Sequence, residues 1–552
     1  MKQAYVAPFS WLVWLGAALL ASAGPQAHAQ AAPTSAPSAA RTPVKTFPIL
    51  EYQVEGNTLL PVPDVERAVM SHMGENKSLS DVEAARVQLE KLYHDRGYKT
   101  VIVNIPEQRV ADGVVRLRVS ESPVGQLHIA GSKYHSLEGI REKVKELAPG
   151  SVPDFPEVQK ELAEVNQNAD LRVTPVFKAS ETPGKVDVDL LVQDKLPFHA
   201  SLELNNRYNA QTTKLRLTGE LRYDNLFQRG QSISAQYQIA PERLDDAKVL
   251  SVSYVAPLAP RLILAAYAVH NDSNIAAIGQ LNVIGKGDIF GLRFISPLPV
   301  ESPDFYHSFT GGLDYKSFKQ NVVVQESGDT VASPADYPEF VLQYSATWLG
   351  NAQDGDYIAA TTTGRSDTSL DAGLSFTIRG LGTNREQFAD KRAGASSSFM
   401  TFHPGLTREQ ILWHGWSMSG RVEAQLASGP LINNEQFPGG GADSVRGYVE
   451  AERLGDNAVR GSLELRTPQL LNKRFKGVDR SYVYVFVDGA HLQTLQSLPG
   501  QEATFDLASA GLGLRFRGNG FTASVDGARI LKDGFVTPAK RYRGLFQLIY
   551  SY

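Results

Sequence analysis

The chain has no cysteine among its 552 residues, so disulfide bonds are excluded. Its charged residues nearly balance, at a formal net charge of −4, which gives no electrostatic case for a nucleic-acid partner. Beyond its first thirty residues it lacks any apolar run of about 20 residues, the length that a transmembrane helix needs. It is rich instead in glycine (47), tyrosine (21) and phenylalanine (24), which is typical of β-structure with many turns and interfacial aromatic side chains.

Sequence signatures of catalysis are missing as well. The chain contains no His-Glu-x-x-His, no Gly-x-Ser-x-Gly and no Gly-Lys-Ser/Thr phosphate loop. The glycine run at 439–441 is not followed by a lysine, so it does not predict a phosphate-binding loop. We therefore expect no catalytic residue, no metal and no cofactor, and a protein that is not an enzyme.

The N-terminus has the pattern of an export signal. Lys2 provides a positive start, residues 9–23 form an apolar core, and Ala27-His28-Ala29 is a small-x-small cleavage site. The alternative is a membrane anchor, but the apolar core is shorter than the roughly 20 residues that span a bilayer. Residues 1–29 are therefore predicted to be a signal peptide. Residues 30–46, rich in Ala, Pro and Ser, are predicted to be a disordered linker.

Two small α+β units follow, over residues 47–122 and 123–196. In each, the periodicity predicts the order β-α-α-β-β. Residues 127–132 (Leu-His-Ile-Ala-Gly-Ser) parallel residues 52–57 (Tyr-Gln-Val-Glu-Gly-Asn), which indicates a duplication. The period of about 75 residues is longer than that of a solenoid repeat, so we expect two tandem domains.

The longer helix of the first unit has recognisable ends. Ser80 and Glu83 are expected to form a capping box at its start. Apolar residues then follow at helical spacing until Gly97, where the helix is expected to stop.

From residue 197 to residue 552 the helical periodicity disappears and apolar and polar residues alternate. This pattern fits either a soluble sheet with one wet face or a membrane β-barrel with a polar lumen. The export signal, the alternation of short and long connections, and the aromatic residue Tyr552 at the end of the last strand favour the barrel. At roughly ten residues per strand plus loops, the region accommodates about sixteen antiparallel strands.

A long loop at about 429–458 contains a glycine run followed by Arg446. On a later strand the alternation places Asp488 in the lumen, beside aromatic residues and backed by valines. An unpaired carboxylate there is costly, and arginine is an apt partner because it can bind a carboxylate through two parallel hydrogen bonds. The alternative is a solvated surface arginine and an unrelated lumen aspartate. Glu464 and Arg466 are expected to face the lumen, where they either extend this charge network or only solvate the wall.

The two α+β units resemble polypeptide-transport-associated (POTRA) domains, and the whole mature chain resembles the two-partner secretion transporters that export haemolysins and filamentous haemagglutinins. The most specific marks are Val445-Arg446-Gly447-Tyr448, which is similar to the family's loop motif, and Phe486-Val487-Asp488-Gly489, which is similar to its barrel-wall motif. The resemblance implies that the loop folds into the lumen and that Arg446 pairs with Asp488. Well-studied members of the family carry an N-terminal helix that plugs the barrel. This chain departs from that pattern, and no plug helix is expected here, because residues 30–46 are short and proline-rich.

The resemblance implies an outer-membrane translocator in a Gram-negative bacterium, with its POTRA domains in the periplasm. Its client would be a large β-helical exoprotein that is unfolded in the periplasm. Outer-membrane lipids and the barrel assembly machinery, acting on the strand that ends at Tyr552, are the other expected partners, and the transporter is expected to be a monomer. The alternatives are an insertase of the same superfamily and a passive porin. Two periplasmic units favour the secretor over the insertase, and a porin does not explain the repeat.

Overall fold

The computed structural model describes residues 45–110, 112–166, 168–273, 275–278, 281–300, 302–319, 321–323, 330–352, 359–361, 364–471 and 477–552. The predicted signal peptide (1–29), nearly all of the predicted linker (30–46) and the expected lack of a plug helix lie outside these residues. The described residues form two compact units, one within residues 45–96 and 101–121 and the other within residues 97–100 and 122–552. No helix among the described residues is long and apolar enough to cross a membrane.

The first unit contains a three-stranded sheet, an antiparallel pair of short strands and two helices. Its elements are β1 (Phe47–Ile49), β2 (Glu51–Glu55), α1 (Val62–Met70), β3 (Gly74–Lys77), α2 (Leu79–Asp95), β4 (Ile102–Asn104) and β5 (Val114–Ser120). β5 is the central strand of the three-stranded sheet, parallel to β2 and antiparallel to β4, and β1 pairs with β3. Ala85, Leu89 and Tyr93 of α2 and Leu117 of β5 are fully buried, so the apolar face of the helix and the sheet form one core.

The predicted capping box of α2 is wrong by two residues. The helix begins at Leu79, and Ser78 is its N-cap, in an extended conformation. The backbone N–H and the hydroxyl of Ser78 both donate to Asp81 Oδ2 at 2.8 Å. The carboxylate of Glu83 is bound instead by Arg86, one turn further along. The sequence Ser-Leu-Ser-Asp-Val-Glu offers two capping boxes, and the ion pair to Arg86 leaves Asp81 as the residue that caps.

The second unit begins with a repeat of this arrangement. Its elements are β6 (Val124–Ala130), α3 (Leu137–Arg141), a 3₁₀ turn (Lys145–Leu147), α4 (Phe155–Val165), β7 (Leu171–Ala179) and β8 (Val186–Asp194). β8 is central, parallel to β6 and antiparallel to β7, as β5 is to its neighbours. The same order and the same pairing give both sheets one topology.

Sixteen strands of the described residues close into an antiparallel barrel in which the last strand pairs with the first. They are β9 (Phe198–Asn205), β10 (Arg216–Leu226), β11 (Gln231–Ile239), β12 (Lys248–Ala259), β13 (Leu262–Asn271), β16 (Gly287–Pro297), β17 (Phe305–Phe318), β20 (Ala335–Ala352), β21 (Arg365–Phe376), β22 (Met400–Ile411), β23 (Ser417–Ala427), β26 (Asn457–Arg466), β27 (Val478–Gln493), β28 (Thr504–Gly518), β29 (Phe521–Ile530) and β30 (Tyr542–Ser551). Loop segments add three short hairpins and a helix, namely β14 (Ile275–Ile278) with β15 (Leu281–Ile284), β18 (Asn321–Val323) with β19 (Thr330–Ala332), β24 (Phe437–Gly439) with β25 (Arg453–Gly455), and α5 (Arg385–Lys391).

The barrel has two distinct ends. We call the end where β9 begins and β30 finishes the near end, and the opposite end the far end. Because successive strands are antiparallel, the connections 240–247, 377–399 and 428–456 lie at the far end and 227–230, 353–364 and 412–416 at the near end. The near end contacts the α+β part of its unit: the Gln228 side chain accepts the N–H of Ser136 and donates to the carbonyl of Tyr134, both at 3.0 Å.

Candidate functional site

The connection between β23 and β26, residues 428–456, folds into the barrel from the far end. Val445 and Tyr448 within it are fully buried. They pack against inward-facing side chains of the wall, namely Ala458, Ala490, Leu492, Leu507 and Ile530. The Tyr448 hydroxyl lies 2.6 Å from the carbonyl oxygen of Lys532 and accepts the N–H of Ala508 at 3.2 Å. The residue that follows the Arg-Gly pair therefore attaches the loop to β28 and to the loop after β29.

Glycine is required where the loop turns against the wall. Gly447 has φ +97°, a left-handed conformation that side chains disfavour, and a Cβ there would lie 3.0 Å from the Cβ of Ala528. Gly440 also has φ +97°, and its Cβ would lie 2.8 Å from the carbonyl oxygen of Val449. The chain thus reverses in little space and presents Arg446 to the wall.

Arg446 uses all five of its side-chain N–H donors. Nε and Nη2 bind the two oxygens of Asp488 at 2.7 Å each, and Nη1 binds Glu464 Oε1 at 2.7 Å. The remaining two donors face the hydroxyls of Ser462 at 3.0 Å and Tyr484 at 3.4 Å. The side chains of Arg446 and Asp488 are 6% and 0% exposed, so both charges are removed from water and depend on each other.

The placement of Asp488 follows from the alternation of β27. Val485 and Val487 are 53% and 56% exposed on the outside of the barrel, while Tyr484 and Phe486 are buried on the inside. The guanidinium carbon of Arg446 lies 3.6 Å from the ring centroid of Phe486, which adds a cation–π contact to the ion pair. The cross-strand partner of Asp488 is Ser462 of β26, whose hydroxyl donates to Asp488 Oδ1 at 2.7 Å. Gly489 pairs with Gly461 on the outward face of the same two strands.

Glu464 and Arg466 belong to the same charge network. Both side chains lie on β26, and Arg466 binds Glu464 Oε2 through Nε at 2.9 Å and Nη2 at 2.8 Å. Arg466 Nη1 also binds Glu409 of β22 at 2.7 Å. The carboxylate of Glu464 therefore bridges two arginines, one on the loop and one on the wall.

The loop has further anchors that the sequence analysis missed. Near its start, Glu435 accepts two contacts from Lys316 Nζ at 2.8 and 3.0 Å, and Lys316 also binds Glu339 at 2.6 Å. At its end, Arg392, just after α5, binds both oxygens of the fully buried Asp456. Each pair joins residues far apart in the chain, and a local sequence pattern carries no signal for such contacts.

Two family profiles match the chain. The ShlB-type POTRA domain matches residues 47–122, and the haemolysin secretion/activation protein family ShlB/FhaC/HecB matches residues 357–516. The second range contains the inward loop, Asp488, Glu464 and Arg466.

Individual relatives have low sequence identity to this chain, and several of the matches cover most of it. The heme/hemopexin transporter protein HuxB of Haemophilus influenzae (strain 86-028NP) is 19% identical over 73% of this chain and 69% of HuxB. The outer membrane transporter CdiB of Dickeya dadantii (strain 3937) is 23% identical over 36% of this chain and 34% of that protein. The solved structure of CdiB from Escherichia coli covers 94% of this chain and 93% of its own, at 16% identity and a TM-score of 0.61. The predicted fold class, α+β POTRA domains followed by a barrel of about sixteen strands, is confirmed.

Proposed function

We propose how this chain works from the premise that it belongs to the ShlB/FhaC/HecB family of haemolysin secretion/activation proteins, the outer-membrane transporters of two-partner secretion. The protein lies in the outer membrane of a Gram-negative bacterium, with its POTRA region in the periplasm, and it translocates an exoprotein. The near end of the barrel therefore faces the periplasm and the far end faces the outside.

The proposed division of labour follows the chain. Residues 1–29 direct export, 30–46 form a linker, and 47–122 and 123–196 are two POTRA domains that capture the unfolded client. Residues 197–552 form the transmembrane barrel through which the client leaves. An extended client segment can add to an open sheet edge by main-chain hydrogen bonds, which suits capture without sequence specificity.

The inward loop, residues 428–456, is proposed to close the barrel, with Arg446 and Asp488 as its latch. The observation that carries this proposal is that both charges are buried and all five arginine donors are used. Breaking a buried ion pair by removing one partner is strongly destabilising, because the other charge is left uncompensated. A client segment that enters the lumen brings polar backbone groups, and water can enter with it. Both can solvate the two separated charges, so the latch can release without external energy.

The same proposal specifies what drives export of the client and which partners the transporter has. No nucleotide motif is present in the sequence, and folding of the client outside the cell is the proposed drive. The client is proposed to be large, β-helical and unfolded in the periplasm, and the transporter to be a monomer. The barrel assembly machinery is proposed to act on the strand ending at Tyr552, and lipids to surround the barrel. Neither catalysis nor a nucleic-acid partner is part of the proposal.

Charge reversal tests the latch. We expect Arg446→Glu to abolish secretion of a co-expressed exoprotein while the barrel still inserts, as judged by its heat-modifiable mobility on gels. Arg421→Glu is a matched control. Arg421 and Arg446 line one cavity of about 180 Å³, but the side chain of Arg421 is 50% exposed and lies outside the Arg446 network. Normal secretion by Arg446→Glu would refute the latch.

Deleting this chain from a strain that also expresses the exoprotein separates the secretor from its two rivals, the insertase and the passive porin. An insertase predicts that loss of this chain lowers the amounts of other outer-membrane proteins, whereas a secretor predicts that only the exoprotein disappears from the medium. A passive porin predicts that neither changes.

A further inference from the structure

A short segment enters the lumen from the periplasmic end. The connection from β20 to β21 lies at that end, and of its residues 353–364 the structure describes 359–361 and 364. Ala359, Ala360 and Thr361 are only 6%, 1% and 1% exposed. A periplasmic turn of an outer-membrane barrel is normally short and solvated, so buried residues in this connection call for an explanation.

The segment packs on the wall that holds the latch. Ala360 forms one apolar cluster with Tyr482, Tyr484, Phe486 and Ala528. Phe486 is the ring over which the Arg446 guanidinium lies, and Ala528 is the residue that Gly447 approaches. The inward loop and Ala360 therefore pack on one group of wall side chains, which includes Phe486 and Ala528.

Two arginines bind the backbone of the segment. Arg466 Nη1 donates to the carbonyl oxygen of Ala360 at 3.2 Å, and Arg480 Nη2 donates to the carbonyl oxygen of Thr361. Hydrogen bonds from a charged donor are stronger than neutral ones, and they hold these residues by their main chain.

Arg466 also belongs to the latch network. Its guanidinium binds Glu464, whose other oxygen binds Arg446 at 2.7 Å. A continuous path of charge-assisted hydrogen bonds therefore runs from Ala360 through Arg466 and Glu464 to Arg446. Because Arg466 is only 12% exposed, removing Ala360 admits water to a pair that is otherwise shielded. Ion pairs in water contribute little, so hydration there weakens the hold of Glu464 on Arg446.

We propose that residues 359–361 are a second closing element, entering from the periplasmic end, and that Arg466 is the positioning residue that couples this element to the loop latch. A client arriving from the periplasm meets this element first and displaces it. That displacement hydrates Arg466 and Glu464 and loosens Arg446 before the client reaches it. The second element is independent of the proposed function of Arg446, whereas the coupling rests on it.

The absence of cysteine makes a direct test possible, since a single introduced thiol is the only one in the chain. Ala360→Cys reports on the second element and Val445→Cys on the inward loop, and both sites are buried. The purified full-length protein in lipid vesicles is treated with a maleimide, and the labelling rate is compared with and without Arg466→Gln. We expect slow labelling of both thiols with Arg466 present and acceleration of both by at least about tenfold in Arg466→Gln, the loss expected for a hydrogen bond to a charged group.

Controls separate this proposal from the latch. Arg421→Gln is expected to leave both rates unchanged, and Arg466→Lys to give an intermediate rate, since it keeps the charge but loses the fork. If Arg446→Gln accelerates labelling of Val445→Cys while Arg466→Gln leaves Ala360→Cys slow, the assignment of Arg466 as the positioning residue of the second element is overturned and the latch stands. If Arg466→Gln exposes Ala360→Cys while Arg446→Gln leaves Val445→Cys slow, the latch is overturned and the second element stands.

Two further outcomes bear on the proposal. Fast labelling of Ala360→Cys with Arg466 intact contradicts burial of the segment. Should Ala360→Cys fail to give a heat-modifiable barrel, Ala359→Cys serves as the reporter at the neighbouring buried position. Exposure of Ala360→Cys without any change at Val445→Cys in Arg466→Gln overturns the coupling.

Discussion

One carboxylate oxygen of Asp488 accepts both the backbone N–H and the Nε–H of Arg446, at 3.0 and 2.7 Å. A single wall residue thus holds the main chain and the side chain of the loop tip. The position of the loop and the orientation of the guanidinium are therefore not independent. A lysine at this position cannot reproduce the arrangement, because it lacks the planar fork.

Asp488→Asn should open the barrel without unfolding it. The amide keeps the shape but not the charge, and removing one partner of a buried ion pair costs roughly 3–5 kcal/mol, less here because Glu464 still faces Arg446. We expect a larger and noisier current in planar lipid bilayers. Asp506→Asn is the control, since that carboxylate is 48% exposed and pairs with His491 and Lys532. An unchanged current in Asp488→Asn would argue against its role in closure.

Tyr448→Phe should weaken the loop more mildly. The change removes the hydrogen bond to Lys532 O and leaves the Ala508 N–H without its acceptor, at a cost of about 1–2 kcal/mol. We expect a small fall in the temperature at which the barrel loses its heat-modifiable band, with normal insertion. Tyr542→Phe, at a ring that is 77% exposed, should leave this temperature unchanged. Equal effects of the two substitutions would contradict the anchoring role of Tyr448.

In the anchor formed by Lys316 and Glu435, substitution of the lysine should have a larger effect than substitution of the glutamate. Lys316 lies between Glu339 and Glu435, and all three side chains are largely buried. Lys316→Met leaves two carboxylates without their cation, whereas Glu435→Gln leaves the Lys316–Glu339 pair intact. We therefore expect Lys316→Met to raise the bilayer current, and to lower the barrel's thermal stability, more than Glu435→Gln does. The reverse order would show that Glu435 is not held through Lys316.

The sequence predicts some parts of this molecule better than others, for physical reasons. Alternation along β27 places Asp488 in the lumen, because a strand turns successive side chains to opposite faces. The contact between Arg446 and Asp488 was expected from the family resemblance and from the need of a lumen carboxylate for a cation, whereas no local rule links positions 42 residues apart. The pairs Lys316–Glu435 and Arg392–Asp456, and the burial of Ala360, depend on closure of the barrel and have no local signature. The cap of α2 shows the opposite limit, where two overlapping local signals compete.

That competition can be tested in the first POTRA domain. Ser78→Ala removes the N-cap hydroxyl of α2 and should destabilise the helix start by about 1 kcal/mol. Ser80→Ala is the matched control. Ser80 lies within the first turn of α2, and its hydroxyl contacts the Ser78 hydroxyl. Hydrogen exchange of the full-length protein should show faster exchange at residues 80–83 in Ser78→Ala alone. Faster exchange in Ser80→Ala instead would restore the cap predicted from sequence.

A carboxylate near the end of β8 makes the second α+β unit sensitive to acid. Asp194 accepts the backbone N–H groups of Lys133, Tyr134 and His135, at 2.9, 2.6 and 3.0 Å. Burial alone would raise the pKa of Asp194, but these N–H groups outweigh it and hold the pKa below its usual value of 3.8. A carboxyl group with a lowered pKa in the folded state stabilises the fold above its unfolded pKa, and this stability is lost as the pH falls through the folded pKa.

We therefore expect residues 133–135 of the full-length protein to keep constant protection factors in hydrogen exchange from pH 7 down to about pH 4, the unfolded range of an aspartate. Protection should fall at lower pH, as Asp194 takes up a proton and the turn loses its acceptor. Asp194→Asn should lower the protection already at pH 7 and remove its dependence on acid. Asp189→Asn is the control, because Asp189 pairs with the exposed Lys178 and accepts no N–H of this turn. Protection in Asp194→Asn equal to that of the unmodified chain would show that the turn between β6 and α3 does not depend on this carboxylate.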